Sequence, residues 1–492
     1  MRRIYHLIGL LAGLFVFSSC AEDSSSVVLP RIAQRAISDS TFVYYDTFSQ
    51  YTDDMASLPI GMFDSSVDGI MVMERFLTID QFDNITGAYV SDGIPDFGGE
   101  NFQFLIDMAN GPYIDYIEGG NVDFLKEHLM TNLFFLMGKS FYTLSVDDFK
   151  SGQKDRVKAV VSLTNTADYT VGEDFSNFAK ESGSNILSVG LMSSAISALF
   201  DDISAKSEVC IGILSSGDDI TVREYESAIR KSAGKLNYGG TIKIAGHRAQ
   251  GLSEAILNDY DYISMLSTSV RSGYKGPDIL ENLDYVDNMV LGKYYFNTSG
   301  NGLLVRREAD KYMDIQLNSV ENYVRYHIVS MVEHHRRSGS KIPISTILLS
   351  DYKYSSVKKF IKQTLKDLYD YKQDGMYLYR TSITSDVKII DPIECAASDC
   401  YLALRKSNNL ALRTVRSELV TYVSVPVLSL SAEDYTSNGM FTDDYRVSRV
   451  AGEYKITSKV VPFSTRYINQ EKLNYIGTNY PMSYSLVKNS LY

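Results

Sequence analysis

Short polar side chains follow four of the apolar runs that predict strands in this sequence. Hydroxyl, amide, ammonium and carboxylate groups of this kind can hydrogen-bond a small polar ligand, and they also cap strands and turns. A carboxylate such as Asp351 can in addition act as an acid or a base. The set consists of Asp64, Ser65, Asn165, Thr166, Ser216, Asp351 and Lys353.

The elements that must position these residues alternate between short apolar runs and helical patterns, which indicates an α/β protein. Most runs are continuously apolar, as is typical of parallel strands buried on both faces. Apolar stripes with helical spacing follow two of them, one around Tyr225 and Ile229 and one from Val357 to Leu368. The predicted strands are residues 60–63, 157–163, 186–189, 209–214, 262–266, 344–349 and 387–390.

The first twenty residues form a pattern of their own. Arg2 and Arg3 precede an apolar stretch over residues 7–17, which is too short to cross a bilayer and is typical of a secretory signal. The Ser-Ser-Cys sequence ending at Cys20 resembles the lipobox of bacterial lipoproteins, in which the cysteine carries the lipid. Glu22 and Asp23 resemble the surface-export signal of Bacteroidetes lipoproteins. We therefore expect a lipid-anchored protein of the bacterial cell envelope, in the outer membrane and facing the periplasm or the surface; the alternative is an ordinary signal with an incidental cysteine.

Composition and charge argue against several classes of partner and site. The net charge of −12 lacks the basic face that a nucleic-acid partner needs. Cys210, Cys395 and Cys400 are an odd set without Cys-x-x-Cys spacing, so they predict neither complete disulfide pairing nor a zinc site. The sequence predicts no metal site and no cofactor.

Six segments, in chain order, resemble motifs of the glutamate racemases and of the wider Asp/Glu racemase superfamily. The resemblance covers about residues 57–410, with insertions near 125–155 and 270–335. It implies two facing, doubly wound α/β domains with a ligand crevice at the carboxyl ends of the strands. The segments are residues 58–69, 107–113, 160–167, 212–216 with Tyr225, 347–354, and 389–392 with the helix that follows.

The resemblance also implies a domain organisation. We expect a signal peptide at 1–19, a lipidated tether at 20–56, domain A at 57–198, domain B at 199–384 with the insertion at about 270–335, and a return to domain A at 385–424. Residues 425–492 form a C-terminal extension. Its Tyr, Ser, Thr and Val content and short alternating runs such as residues 420–427 predict a β-rich segment.

The chemistry of the family does not carry over. Racemases of this family place one cysteine on each side of the substrate Cα, whereas the corresponding positions here are Thr164 and Asp351. Lys353 stands at the position of the family histidine, and Ser66 and Asp68 replace glycines of the first turn. Two-cysteine racemisation is therefore not expected.

The resemblance still implies a set of residues that bind an amino acid. Asp64, Ser65, Asn165, Thr166 and Ser216 match positions that in the family hold the carboxylate and ammonium of an amino acid. Three further carboxylates are expected to add negative charge to the crevice, which favours a cationic, neutral or metal-bridged ligand over glutamate. These carboxylates are Asp68, Asp219 and Asp351.

The leading hypothesis is a membrane-anchored, racemase-like pseudoenzyme that binds a small amino-acid-like ligand or a peptidoglycan fragment between its domains. One alternative is a one-sided lyase or isomerase that uses Asp351 as its acid or base. The other is a structural protein of the cell envelope that binds another envelope protein.

Overall fold

The computed structural model of the chain describes residues 29–46, 48, 51, 55–145, 148–216, 219–277, 293–308, 311–411 and 416–490. Cys20 and the predicted signal lie outside the described residues, so lipidation stays a prediction. Within the described ranges, no helix is both long enough and apolar enough to cross a membrane.

Strands and helices alternate along most of the chain. The strands are β1 (Ile60–Asp64), β2 (Phe102–Ile106), β3 (Ser140–Leu144), β4 (Phe149–Gln153), β5 (Ala159–Ser162), β6 (Leu187–Gly190), β7 (Glu208–Ser215), β8 (Thr241–Arg248), β9 (Leu303–Glu308), β10 (Lys311–Leu317), β11 (Ile344–Leu349), β12 (Lys372–Gln373), β13 (Met376–Tyr377), β14 (Ile383–Ile390), β15 (Leu419–Pro426) and β16 (Ser458–Pro462). The helices are α1 (Arg31–Ser38), α2 (Gly69–Thr78), α3 (Ile114–Glu118), α4 (Val122–Met137), α5 (Asn165–Glu181), α6 (Leu191–Asp202), α7 (Asp219–Lys235), α8 (Leu252–Ile256), α9 (Val320–Arg337), α10 (Lys358–Asp370), α11 (Pro392–Lys406), α12 (Asp443–Ser448), α13 (Gln470–Asn479) and α14 (Pro481–Ser490).

The larger sheet, called sheet A, has six strands in the order β16-β15-β2-β1-β5-β6. All neighbouring strands are parallel except β15 and β16, which are antiparallel. At its centre, Ile60 of β1 lies between Phe102 of β2 and Ala159 of β5.

The central strands of sheet A are buried on both faces. Ile60 and Met62 pack with residues of α2, α11, α13 and α14, whereas Phe63 packs with residues of α1, α4 and α5. Successive residues of a strand point to opposite faces, so a continuously apolar run serves both layers. Burial of each such side chain contributes roughly 1.5–3 kcal/mol.

The smaller sheet, called sheet B, has four parallel strands in the order β14-β11-β7-β8. Leu214 and Ile347 face the core formed with α9 and α10, and Ile211 and Leu348 face the core formed with α6 and α7. The predicted fold class, two doubly wound α/β units, is confirmed.

The chain crosses between the sheets twice. It leaves sheet A at Gly190 and enters sheet B at Glu208; it leaves sheet B at Ile390 and returns to sheet A at Leu419. The connecting helices α6 and α11 pack against each other.

One strand prediction is wrong, and several strands, among them β2 and β8 of the two sheets, were missed. Residues 262–266 form turns rather than a strand, and Met265 and Leu266 are exposed. The carbonyl of Asp259 accepts hydrogen bonds from the backbone N–H groups of Tyr262 and Ile263, which begins the first turn. Strands β2 and β8 were not predicted. Gln103 interrupts the apolar pattern of β2, and β8 alternates polar and apolar residues as an edge strand does.

The predicted insertions and the C-terminal extension are integrated with the two sheets. The first insertion supplies most of α4 and the β3–β4 hairpin; the second supplies the β9–β10 hairpin and most of α9. The extension adds β16 to sheet A, and its last part is helical, as α13 and α14.

Candidate functional site

Asp64 lies at the carboxyl end of β1 and is buried. Its Oδ1 accepts hydrogen bonds from the backbone N–H of Ser66 at 2.9 Å and from the Ser65 hydroxyl at 3.5 Å. Burial raises the pKa of this carboxyl to about 7; the bond from Ser66 and the ammonium of Lys353 only partly oppose that effect. Asp64 therefore exchanges a proton near neutral pH.

Thr164, at one of the two positions implied for the racemase cysteines, caps α5. Its hydroxyl accepts a hydrogen bond from the backbone N–H of Ala167 at 3.0 Å. Threonine is a favoured N-cap residue because this bond satisfies one of the free N–H groups of the first turn. The side chain serves the helix, and a neutral hydroxyl in this position is not a base.

Asn165 joins the two sheets. Its side-chain amide donates to the carbonyl of Ser350, at the end of β11, at 2.6 Å. Its side-chain oxygen accepts from the hydroxyl of Tyr225, on α7, at 2.9 Å. Asn165 thus holds the carboxyl end of β5 against the carboxyl end of β11, and we call the space around this contact the cleft. Its neighbour Thr166 is half-buried at the start of α5.

Asp351, at the other implied cysteine position, is surrounded by donors. One oxygen accepts from the Ser253 hydroxyl at 2.6 Å and the other from the backbone N–H of Lys353 at 2.9 Å. The ammonium of Lys353 lies 3.2 Å from one oxygen and 3.3 Å from the other. Burial disfavours the charged lysine, but the carboxylates of Asp351 and Asp68 outweigh it and raise the pKa of Lys353. Lys353 therefore stays a charged ammonium at neutral pH.

The negative charge expected in the cleft is largely balanced. Lys353 neutralises Asp351, and Lys472 of α13 forms an ion pair with Asp68. The side chain of Asp219 lies outside the described residues, and Ser216 is half-buried at the end of β7. The expected negative charge is thus balanced at Asp68 and Asp351, and the sequence did not indicate that Lys472 would reach the cleft.

Tyr352 was not predicted as a site residue. Its hydroxyl is buried and makes no hydrogen bond to the residues that the structure describes. Burial, together with the carboxylates of Asp68 and Asp351, raises the pKa of Tyr352 well above its ordinary value, so it remains an O–H donor. The ammonium of Lys353 lies 4.3 Å from the centre of its ring.

The C-terminal helices meet the cleft from outside. Besides the Lys472–Asp68 ion pair, the hydroxyl of Tyr475 donates to the carbonyl of Ile256, on α8, at 3.4 Å. Helix α13 therefore contacts both halves of the molecule beside the cleft. No local sequence signal indicated this, because the contacts join residues more than two hundred positions apart.

Comparisons with known proteins give structural neighbours only. No protein family model and no curated protein sequence matches the chain. A solved glutamate racemase from Bacillus anthracis is 15% identical, with a TM-score of 0.39, and the match covers 74% of this chain and 88% of that one. A Francisella tularensis glutamate racemase in complex with D-glutamate is 13% identical, with a TM-score of 0.36 and coverage of 74% and 88%. An aspartate racemase homologue from Pyrococcus horikoshii is 9% identical, with a TM-score of 0.31 and coverage of 71% and 99%. These values do not establish membership of a family.

Proposed function

We propose that this chain is a lipid-anchored binding protein whose cleft takes a small zwitterionic ligand, such as a free amino acid, and racemises nothing. The observation that carries the proposal is the buried Tyr352 hydroxyl. Buried polar groups in native proteins nearly always have a partner. A ligand group that accepts this O–H would supply the partner that the described residues do not.

The non-catalytic part of the proposal is supported by the two positions that the sequence resemblance implies for the racemase cysteines. The Thr164 hydroxyl caps α5, and both oxygens of Asp351 already accept hydrogen bonds. Removal of a Cα proton on one face and its return on the other needs two groups free to change protonation state. Neither residue meets that need.

The choice of a zwitterion is supported by the charges of the cleft. Lys353 offers an ammonium for a carboxylate, and Asp64 offers a carboxyl for an ammonium. Because Asp68 and Asp351 are already paired with lysines, no large excess of negative or positive charge remains to favour arginine or glutamate. A neutral amino acid fits this balance.

The test is isothermal titration of the purified protein with D- and L-alanine, D- and L-glutamate and L-arginine. We expect an alanine enantiomer to bind more tightly than glutamate or arginine. Lys353→Met should weaken its binding by about tenfold or more, since it removes a charge-assisted hydrogen bond. Lys362→Met, on the exposed side of α10, is the matched control. Tighter binding of glutamate, or an equal effect of both lysine variants, contradicts the proposal.

Tyr352→Phe separates binding from folding. Because the hydroxyl has no described partner, its removal should leave the ligand-free protein as stable as before, or more stable by about 1–3 kcal/mol, while alanine binding weakens. Urea unfolding and titration measure the two effects. A variant that is destabilised without ligand would show that the hydroxyl serves the fold instead.

A second candidate, a one-sided lyase or isomerase, is favoured by Asp64 rather than by Asp351. A buried carboxyl with a pKa of about 7 is suited to general acid/base catalysis at neutral pH. Turnover of an amino acid that is lost in Asp64→Asn and retained in Asp351→Asn would support this candidate over the binding protein.

A further inference from the structure

A cavity of about 240 Å³ lies at the carboxyl ends of β2 and β15. Helix α4 and strand β16 form its walls, and residues 43–46 and 48, the start of β3 and the tail segment 454–457 also line it. Of the described residues that line it, none belongs to the cleft. An inference about this cavity is therefore independent of the function proposed above.

One end of the cavity is a buried acid–imidazole pair. Asp107 is fully buried, and its Oδ2 binds the Nε2 of His128 at 2.6 Å, the hydroxyl of Tyr113 at 2.7 Å and the amide of Asn132 at 3.0 Å. Burial alone would raise the pKa of Asp107, but the imidazole of His128 and these hydrogen bonds overcome that effect and hold the pKa well below its usual range. Asp107 is thus an ionised acceptor.

This arrangement fixes the role of the other imidazole nitrogen. Because Nε2 hydrogen-bonds the carboxylate of Asp107, Nδ1 is the ring nitrogen that remains for a ligand, as an acceptor in the neutral ring and as a donor in the protonated ring. Nδ1 of His128 has no hydrogen-bond partner among the described residues, and the residue lines the cavity. The cavity wall therefore offers an oriented ring nitrogen that makes no hydrogen bond to the described residues.

Flat aromatic groups surround the pair. The ring of Phe124 is parallel to that of His128 within 8°, with ring centres 6.3 Å apart, and Phe135, Tyr142 and Tyr454 also line the cavity. An apolar cavity of about 150 Å³ accommodates benzene. The larger space here suits one ring that carries substituents, placed against aromatic faces.

The other polar groups that line the cavity include both acceptors and donors of hydrogen bonds. The hydroxyl of Thr131 donates to the carbonyl of His128 at 2.7 Å, which leaves its lone pairs as acceptors. The ammonium of Lys459 lies 4.1 Å from the ring centre of Tyr142 and provides a donor. The carboxylate of Glu127 accepts the backbone N–H of Gly452 at 2.7 Å, so charged groups of both signs line the cavity. A ligand that matches this wall needs groups that both donate and accept hydrogen bonds, and hydroxyl groups do both.

We propose that this cavity is a second binding site, which takes a neutral, polyhydroxylated ring of monosaccharide size. One hydroxyl of the ligand forms a hydrogen bond with Nδ1 of His128, and the ring lies against the aromatic side chains. The ionised Asp107 holds Nε2 of the imidazole, orients Nδ1 for the ligand and is a positioning residue. Ligands of this class bind whether or not the cleft is occupied.

The test is saturation-transfer NMR on the purified full-length protein with methyl β-D-glucoside and N-acetylglucosamine, and with phenol as a ring that carries one hydroxyl. We expect transfer to at least one of the sugars. Thr131→Trp should abolish it, because the indole fills the cavity while Asp107 and His128 are left in place. Thr78→Trp, at the exposed end of α2, is the matched control and should retain it.

A second variant tests the ring nitrogen itself. His128→Phe keeps a flat ring and removes Nδ1, so sugar binding should fall by about tenfold or more. The imidazole resonances of His128 should shift on addition of sugar in the unsubstituted protein and in the Lys353→Met variant alike. No transfer to either sugar at millimolar concentration, transfer to phenol alone, or transfer that survives Thr131→Trp would overturn the proposal.

Discussion

Asp64 carries the most direct consequence at the scale of single residues. Its carboxyl has an ordinary pKa near 3.8 and a folded-state pKa of about 7, with burial as the main cause. The folded protein therefore holds a proton that the unfolded chain has already lost between these two pH values. By linkage, the free energy of unfolding falls as the pH rises from about 4 to about 7.

Asp64→Asn should remove that dependence. Asn offers the same oxygen to the backbone N–H of Ser66 and has no proton to lose. At pH 8 the variant should therefore be more stable than the unsubstituted protein by up to a few kcal/mol, and near pH 4 the two should have similar stability. Urea unfolding at several pH values measures this. An identical pH dependence in both proteins would contradict the raised pKa.

Asn165 gives a second prediction at this scale. Asn165→Asp replaces the amide that donates to Ser350 by a carboxylate facing a carbonyl, so the loss should be about 1–3 kcal/mol or more above pH 6. Tyr225→Phe removes only the bond to the side-chain oxygen and should cost less. A neutral effect of Asn165→Asp on urea unfolding would mean that the bridge between the sheets does not contribute to stability.

At the scale of elements, a buried ion pair fixes the returning segment of the chain to sheet A. The ammonium of Lys158, beside β5, lies 2.6 Å from the carboxylate of Glu100 and 2.8 Å from the carbonyl of Asn409, and both charged side chains are at most 1% exposed. Glu100 also accepts the backbone N–H of Ala411. The connection from α11 to β15 is thus held at the amino-terminal edge of the sheet.

Lys158→Met should destabilise the protein by about 3–5 kcal/mol, because it leaves a buried carboxylate without its counter-charge. Lys231→Met breaks an ion pair of similar length with Glu173, in which both side chains are more than half exposed, and should have little effect. Urea unfolding compares the two variants. Equal effects would show that burial does not determine the contribution of these pairs.

The comparison between prediction and structure also belongs to this scale. Strands such as β1, β7 and β11 were predictable because a strand buried on both faces is a continuous apolar run. Strand β2 was not, since its buried Gln103 is satisfied by the carbonyl of Asp155, a partner some fifty residues away that no local pattern indicates.

The site was predictable to a similar extent. The polar residues at strand ends were identified by their position after apolar runs, and the structure brings Asn165 to Ser350 and Lys353 to Asp351. Their roles as a cap, a bridge and an ion pair depend on partners from other elements, such as Ser253. Those partners, like the tail helix α13, become neighbours only through the tertiary fold.

At the scale of the whole molecule, the chain combines two α/β units, a cleft between them and a separate cavity beside sheet A. The N-terminal residues that line this cavity belong to the segment 20–56 that was predicted as a tether. Part of the predicted tether is therefore packed against the larger sheet, which leaves a shorter free segment after Cys20 than the sequence predicted.

Lipidation itself gives a direct prediction. The unsubstituted protein should fractionate with membranes and incorporate a labelled fatty acid, whereas Cys20→Ser should do neither; Cys210→Ser, in a buried strand, is the control. Membrane association of Cys20→Ser would contradict the anchor.

The central claim is that the cleft binds an amino acid and leaves its Cα–H bond intact. The most direct measurement is proton NMR of D- and L-alanine incubated with the protein in D₂O, because any base that removes the Cα proton replaces it with deuterium. We predict that the Cα proton signal keeps its full intensity while titration shows binding. Loss of that signal, abolished by Asp351→Asn or by Asp64→Asn, would contradict the claim and identify the cleft as catalytic.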